Sequence, residues 1–235
     1  MNYRELSDEI VRSLRLDIPP VALAFVDGAP AGVQRFETEV PSACTFWRRA
    51  EAGVFYASAQ QHFNCLIGAM TMGFDIPARA QEELMNVVGQ MVAFGYLSAD
   101  EPDKIPSVRK PKRGIVYGPL HDFPMLPDLI LIWLSPRQAM LYNEAVGNPS
   151  WANAPTPLFA RPACGALPMA FNSQQTTFSM GCLGMRTFTQ IADDRLLSVL
   201  PGSRIEDLAA ALRCTVDANE ATASCYQAQK DKFAG

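Results

Sequence analysis

The residues with the most distinctive chemistry in this sequence are six cysteines, at positions 44, 65, 164, 182, 214 and 225. None belongs to a C-x-x-C pair, so the spacing typical of zinc ribbons and ferredoxins is absent. Four lie beside small residues, glycine or proline: Cys44 in "SACTFWRRAEAG", Cys65 in "QHFNCLIGAMTMG", Cys164 in "RPACGALP" and Cys182 in "MGCLGMR". Neighbours without bulk let a ligand approach the sulfur closely, so these four are the candidate site residues.

Each of these cysteines also has a simpler explanation, because a free cysteine commonly packs in a core as a small hydrophobic residue. If the four thiols meet in the fold, their softness suits a [4Fe–4S] cluster or, alternatively, zinc, and excludes calcium and magnesium. If only three bind, the open iron could take an anionic small-molecule substrate. If all four bind, electron transfer with a redox partner, or sensing, is favoured.

The stretch "SMGCLGMRTF" (179–188) places Arg186 among apolar residues and glycines. A guanidinium in such surroundings needs an anion or a carbonyl as partner, since its burial alone is costly. The partner could be a structural carboxylate, Asp193 or Asp194, or the carboxylate or phosphate of a ligand. We therefore predict Gly181, Gly184 and Arg186 as cofactor- or substrate-contacting residues.

His62 lies three residues before Cys65, and on a helix the two would share a face. It could bind a metal or hydrogen-bond a sulfur, although a surface or core role is the commoner one. A second hypothesis is a metal-free thiol enzyme with Cys182 or Cys65 as nucleophile and His62 as base. A third is a non-catalytic module that binds a small anion.

The elements that must position these residues are helices and strands without regular alternation, which predicts an α+β (irregular α/β) fold. A single domain over residues 1–235 is expected, with a mixed sheet flanked by helices. Predicted strands are 19–26, 114–120, 128–134, 176–180 and 195–201. Predicted helices are an opening amphipathic helix, two pieces within 41–74, residues 80–97, a helix from Ser135-Pro136, one opened by a capping box of Ser203 and Glu206, and a polar C-terminal helix at 217–232. Residues 147–168 are expected to be irregular.

Composition narrows the class of protein. The 235 residues carry a net charge of −4 and no long basic run, so no nucleic-acid partner is expected. No apolar stretch reaches the ~20 residues of a membrane helix. The N-terminal residues lack an apolar signal-peptide core, so we expect a cytoplasmic protein with reduced cysteines.

Several segments in order resemble the domain of unknown function 169 (ArCR) family of archaea and bacteria. They are "IPPVALAFVDGAP", "SACTFWRRAEAG", "HFNCLIGAMTMG", "RPACGALP", "MGCLGMR" and "RLLSVLPGSRIEDLAAAL", and the resemblance covers roughly residues 5–213. It implies that Cys44, Cys65, Cys164 and Cys182 occupy the family's cysteine positions, with Gly181, Gly184 and Arg186 in the last motif. It implies no particular activity, and it leaves Cys214 and Cys225 at the edge of the pattern.

Overall fold

A mixed β-sheet, formed by the apolar segments of the chain, positions every other element. The computed structural model describes residues 2–109, 112–147 and 158–234. Within them the strands are β1 Val21–Val26, β2 Phe55–Ser58, β3 Gly114–Pro119, β4 Leu129–Leu134, β5 Leu158–Phe159, β6 Thr177–Ser179 and β7 Leu196–Pro201. Their order is β2-β3-β1-β4-β7-β6-β5, with β5 and β6 parallel and the other neighbours antiparallel. The predicted α+β class with a mixed sheet is confirmed.

Helices cover both faces of this sheet. They are α1 Tyr3–Leu14, α2 Ala43–Arg49, α3 Leu66–Thr71, α4 Ala78–Ala93, α5 Pro136–Gly147, α6 Ala166–Ser173, α7 Leu183–Thr189 and α8 Ile205–Asp231. The helices α1, α5 and α8 pack on one face, around the side chains of Ile130 and Ile132. The helices α2, α3, α6 and α7 pack on the other face, around Leu131 and Trp133. Since β4 is buried on both faces, its side chains are apolar throughout, as a central strand requires.

The C-terminal part of the chain differs from the prediction. One helix, α8, runs through the residues predicted to separate two helices. The predicted capping box is wrong: a 3-10 turn at Gly202–Arg204 leads into α8, and no side chain caps its first residues. The Ser203 hydroxyl instead lies 3.4 Å from the side-chain oxygen of Gln174. The polar second half of α8 is the solvent-exposed continuation of a helix whose first half is buried.

Within residues 41–74 the sequence analysis predicted two helices but missed a strand. The two predicted helices are present as α2 and α3, but the short strand β2 lies between them and pairs with β3. This strand is the edge strand of the sheet, and the helices on either side of it in the sequence, α2 and α3, contact each other on one face. Of the predicted irregular passage, residues 148–157 lie outside the described part of the chain.

Candidate functional site

The four cysteines selected from the sequence line one cavity on the face of the sheet covered by α2, α3, α6 and α7. Its volume is about 850 Å³. Cys44 is buried, while Cys65, Cys164 and Cys182 are partly exposed. The other two cysteines, Cys214 and Cys225, are exposed on α8 and contribute nothing to the cavity. The fold thus separates the cysteines into a group of four and two outlying residues.

Each of the four thiols stands at or near the beginning of a helix. Cys44 is the second residue of α2, and Cys65 and Cys182 directly precede α3 and α7. Cys164 lies in a 3-10 turn, Ala163–Gly165, that runs into α6. Because these helices all begin beside the same cavity, four segments that are far apart in sequence contribute one sulfur each.

Close contact between α2 and α3 depends on Gly68, which the sequence analysis did not single out. A Cβ atom on Gly68 would lie 2.8 Å from the Cβ of Ala43 and 3.1 Å from the sulfur of Cys65. Real Cβ atoms rarely approach other atoms so closely, because interiors are already tightly packed. Gly68 therefore lets Cys65 and the start of α2, which carries Cys44, approach each other.

Burial and the neighbouring thiols control the ionisation of Cys44. Burial and, to a smaller extent, the charges that Cys65 and Cys182 would carry raise the pKa of its thiol to about 11. The Ser42 hydroxyl, 3.0 Å from the Cys44 sulfur, offsets part of this effect. Without a cation beside it, Cys44 is a neutral thiol at physiological pH.

The same causes act on Cys164. Burial raises the pKa of the Cys164 thiol strongly, and Cys65 adds to the increase. The Thr71 hydroxyl offsets a part, whereas Cys182 and Cys44 raise the pKa again. Charge on the neighbouring sulfurs therefore opposes the ionisation of Cys44 and Cys164, in addition to the main effect of burial. A positive charge placed among them would reverse this effect and favour the thiolates.

The thiols do not form a ready-made coordination shell. Across residues 2–109, 112–147 and 158–234, no group of three or more His, Cys, Asp or Glu side chains is arranged to hold a metal ion. The sulfur of Cys182 accepts a hydrogen bond of 3.4 Å from the backbone N–H of Met185, at the first turn of α7. This contact leaves Cys182 at the cavity wall, where a change of rotamer can redirect its sulfur.

His62 serves the packing of the core. It ends a 3-10 turn and is 1% exposed, and its ring nitrogens lie 2.8 Å from the Ser58 carbonyl oxygen and 2.9 Å from the Tyr117 hydroxyl. A carbonyl can only accept, so Nδ1 carries the proton and Nε2 accepts from Tyr117. Burial lowers the pKa of His62 to about 4. With both nitrogens engaged, His62 is positioned neither as a metal ligand nor as the base predicted for Cys65 or Cys182.

Arg186 has carbonyl partners. Its guanidinium donates hydrogen bonds to the carbonyl oxygens of Met180, Ala192 and Arg195, at 2.7, 3.0 and 3.0 Å, and Asp193 lies 3.7 Å away. These contacts hold together the chain on either side of α7. The predicted contact of Arg186 with a ligand is therefore replaced by a structural role, which was the other alternative that the sequence left open.

The two glycines beside Cys182 have different roles. Gly181 has a φ of +88°, and a Cβ there would lie 2.3 Å from the terminal methyl of Met185, so the backbone itself requires glycine. Gly184 lines the cavity, and a Cβ there would meet only Phe188, at 3.9 Å. Of the glycines predicted to contact a ligand, Gly184 faces the cavity and Gly181 shapes the turn before it.

The sequence analysis missed the residues that form the mouth of the cavity. They include Phe94, Tyr96, Glu101, Lys104, Arg161 and Phe188. The Arg161 guanidinium lies 4.7 Å from the centre of the Tyr96 ring and donates a hydrogen bond of 2.6 Å to the Tyr96 carbonyl. Its position three residues before Cys164 was the available signal, because a turn that brings Cys164 to a cavity brings its neighbours too.

Comparisons with known proteins agree with the resemblance seen in the sequence. The chain is 24% identical over 224 residues to the uncharacterized protein MJ0308 of Methanocaldococcus jannaschii, covering 89% of this chain and 93% of that protein. No solved structure matches the chain. Among the described residues, no helix has the length and apolar character needed to cross a bilayer. The family described as uncharacterised ArCR, DUF169, matches residues 9–211, and the chain therefore belongs to that family.

Proposed function

We propose that this protein binds a [4Fe–4S] cluster through Cys44, Cys65, Cys164 and Cys182. The observation that carries the proposal is that four cysteines from separate segments line one cavity, where burial and then the neighbouring thiols raise the pKa of Cys44 and Cys164. Deprotonation of Cys44 and Cys164 is costly unless a cationic group binds among the sulfurs. An iron–sulfur cluster supplies that charge and is held by four cysteine thiolates.

The four thiols line one cavity, but among the described residues they form no compact group around one point, and this arrangement favours a cluster over zinc. A single zinc ion, with zinc–sulfur bonds of about 2.3 Å, draws its four sulfurs within ~4 Å of one another. A cubane accepts its four ligand sulfurs at separations of roughly 7 Å. Thiols that share a cavity without surrounding one point need smaller movements to bind the larger group, and rotation about the Cα–Cβ bonds supplies movement of that kind.

The cavity is also larger than a purely structural site requires. Beyond the thiols it extends to Phe94 and Phe188, which are exposed to solvent. A cluster at the thiols would thus be reachable by a small molecule or by a redox partner. We propose a cytoplasmic location, since a reducing compartment keeps such thiols available for a cluster.

Iron and acid-labile sulfide analysis after anaerobic purification tests the proposal. We expect about four irons and four sulfides per chain, a brown colour and absorbance near 400 nm, which is lost on exposure to air. Colourless protein with about one zinc per chain would contradict the cluster and support a zinc site at the same thiols. Protein without metal, even after anaerobic reconstitution with iron and sulfide, would contradict both.

A metal-free thiol enzyme remains a second candidate, and one observation favours it. The Cys182 sulfur accepts a backbone N–H at the start of α7, a contact that stabilises a thiolate. With His62 engaged elsewhere, such an enzyme would use Cys182 without a histidine base. Rapid alkylation of Cys182 alone in metal-free protein, with slow alkylation of Cys44 and Cys164, supports this candidate once reconstitution has failed.

A further inference from the structure

We propose that the outer part of the cysteine cavity binds a small molecule with an aromatic body and one carboxylate, which Arg161 recognises. A role for this molecule as a substrate or effector rests on the proposed function, because it requires a cluster at the thiols. Its binding, in contrast, depends only on side chains of the cavity.

The depth of the cavity separates an inner from an outer part. Cys44, on the inner wall, is 6% exposed, whereas Phe94, at the mouth, is 83% exposed. A volume of about 850 Å³ is within the range of sites for small organic ligands, roughly 300–1,000 Å³. A cluster bound to the four thiols would occupy the inner part and leave the outer part open.

Aromatic side chains dominate the outer wall. Phe94, Tyr96 and Phe188 line the cavity from two directions, the first two from the end of α4 and the third from α7. Gly184, one helical turn before Phe188, leaves open space between them. Aromatic rings pack favourably on one another with offset or edge-to-face geometry, so a flat aromatic body suits this space.

Charge selects the polar end of the ligand. The charged residues described along the cavity wall are Glu101, Lys104 and Arg161, two cations and one carboxylate. Lys104 forms an ion pair with Asp100, outside the cavity, while Glu101 lies 3.6 Å from Arg161. Both members of the Glu101–Arg161 pair are about half exposed, and ion pairs of that kind contribute little. A ligand carboxylate can therefore compete with Glu101 for the guanidinium.

Arg161 is already oriented for this role. Its hydrogen bond to the Tyr96 carbonyl and its position over the Tyr96 ring hold the guanidinium at the cavity wall. Tyr96 lines the same cavity as Cys164 and Cys182. A molecule bound between Arg161 and the aromatic wall thus lies next to the thiols.

Equilibrium dialysis with 2-naphthoate and its neutral counterpart 2-naphthamide tests the inference, on metal-free and on cluster-loaded protein. We expect saturable binding of both, with naphthoate bound about tenfold more tightly because a charge-assisted hydrogen bond is gained. Arg161→Gln should weaken naphthoate binding about tenfold and change naphthamide binding less than about twofold. The matched control Arg79→Gln, at an exposed position of α4, should change neither.

Two further variants test the aromatic body. Gly184→Leu fills the space beside Phe188 and should weaken both probes at least about tenfold. Phe94→Ala removes an exposed wall residue without disturbing the core, and it should also weaken the binding of both probes. This variant keeps the test valid if the leucine variant does not fold. Equal affinity for the two probes, unchanged naphthoate binding in Arg161→Gln, or no saturable binding would each overturn the inference. Naphthoate binding by protein that never takes up iron would support it while contradicting the cluster.

Discussion

The two faces of the sheet carry helices of different lengths, and this difference explains where the cavity lies. On one face α1 and α5 have 12 residues each and α8 has 27. On the other face the helices packed directly on the sheet, α2, α3, α6 and α7, have 7, 6, 8 and 7 residues, and the 16-residue α4 packs outside them on α3. Long helices cover the first face with continuous apolar packing, whereas several short helices leave many chain ends, and their side chains, around a cavity.

The cysteines follow the same division. The face with short helices holds the four thiols of the cavity, and the long α8 holds two exposed ones. Each prediction below separates the two faces, or two superficially similar residues, by an expected difference in size or sign.

The largest difference concerns iron content. Replacing Cys44, Cys65, Cys164 or Cys182 singly by serine should abolish or strongly lower cluster binding, because serine is a poor ligand for a soft metal. The matched variants Cys214→Ser and Cys225→Ser should keep the full iron and sulfide content. Loss at three of the four positions but not at the fourth would identify an open iron. Equal iron content in all six variants would sink the assignment of the ligands.

The second prediction concerns stability at acid pH and separates the two histidines. The pKa of His62 is lowered by burial to about 4, below its value of about 6.5 in an unfolded chain. The unfolded chain therefore takes up the proton first. The contribution of neutral His62 to stability is complete above pH 6.5 and is lost as pH falls toward 4. The total change is about 3 kcal/mol.

Urea denaturation of the metal-free protein between pH 7 and 4 measures this effect. His62→Gln should reduce the decline in the free energy of unfolding by about 3 kcal/mol, after subtraction of its lower stability at pH 7. The partly exposed His121 provides the control, and His121→Gln should keep the decline of the unmodified protein. If the free energy of unfolding of His62→Gln falls with pH as steeply as that of the unmodified protein, the assignment of His62 as a buried neutral imidazole is wrong.

The third prediction separates Arg186, which the sequence analysis selected, from Arg161, which it missed. Arg186→Gln removes hydrogen bonds to three carbonyl groups and should lower the free energy of unfolding by about 2 kcal/mol. It should change the affinity for 2-naphthoate by less than about twofold. Arg161→Gln should instead weaken naphthoate binding about tenfold and leave the free energy of unfolding nearly unchanged. Chemical denaturation and dialysis of the same preparations measure both effects. If Arg186→Gln loses most of its affinity for 2-naphthoate while its free energy of unfolding is unchanged, Arg186 binds the ligand and its structural role is wrong.

Sequence patterns predicted the strands with long apolar runs and the short β6, but missed the short strands β2 and β5. The central strand β4 has six consecutive apolar residues, which leave little alternative to a buried strand. The strand β2 has four residues and lies between two helices, so its pairing with β3 is decided by tertiary contacts. The same holds for α8, whose predicted interruption at Asp217 does not occur because the helix simply continues into solvent.

The candidate site shows the same limit. Local composition identified Cys44, Cys65, Cys164 and Cys182, but no local pattern states that four distant segments share a cavity. The partner of Arg186 was undecidable for a related reason, since carbonyl groups carry no sequence signal. Arg161 was missed because its significance comes from its contact with Tyr96, which lies 65 positions away in the sequence.

The smallest expected effect distinguishes two helical glycines, one inside the site and one outside it. Gly89→Ala, in α4 with no atom within 4 Å of the added Cβ, should raise the free energy of unfolding by about 0.5–1 kcal/mol, because alanine restricts the unfolded chain. Gly68→Ala should lower it by about 1 kcal/mol or more, since the new Cβ meets Ala43 and the Cys65 sulfur. Urea denaturation of both variants gives the two signs. Stabilisation by both would mean that α2 and α3 can separate without cost, and that the close approach of Cys44 and Cys65 does not depend on Gly68.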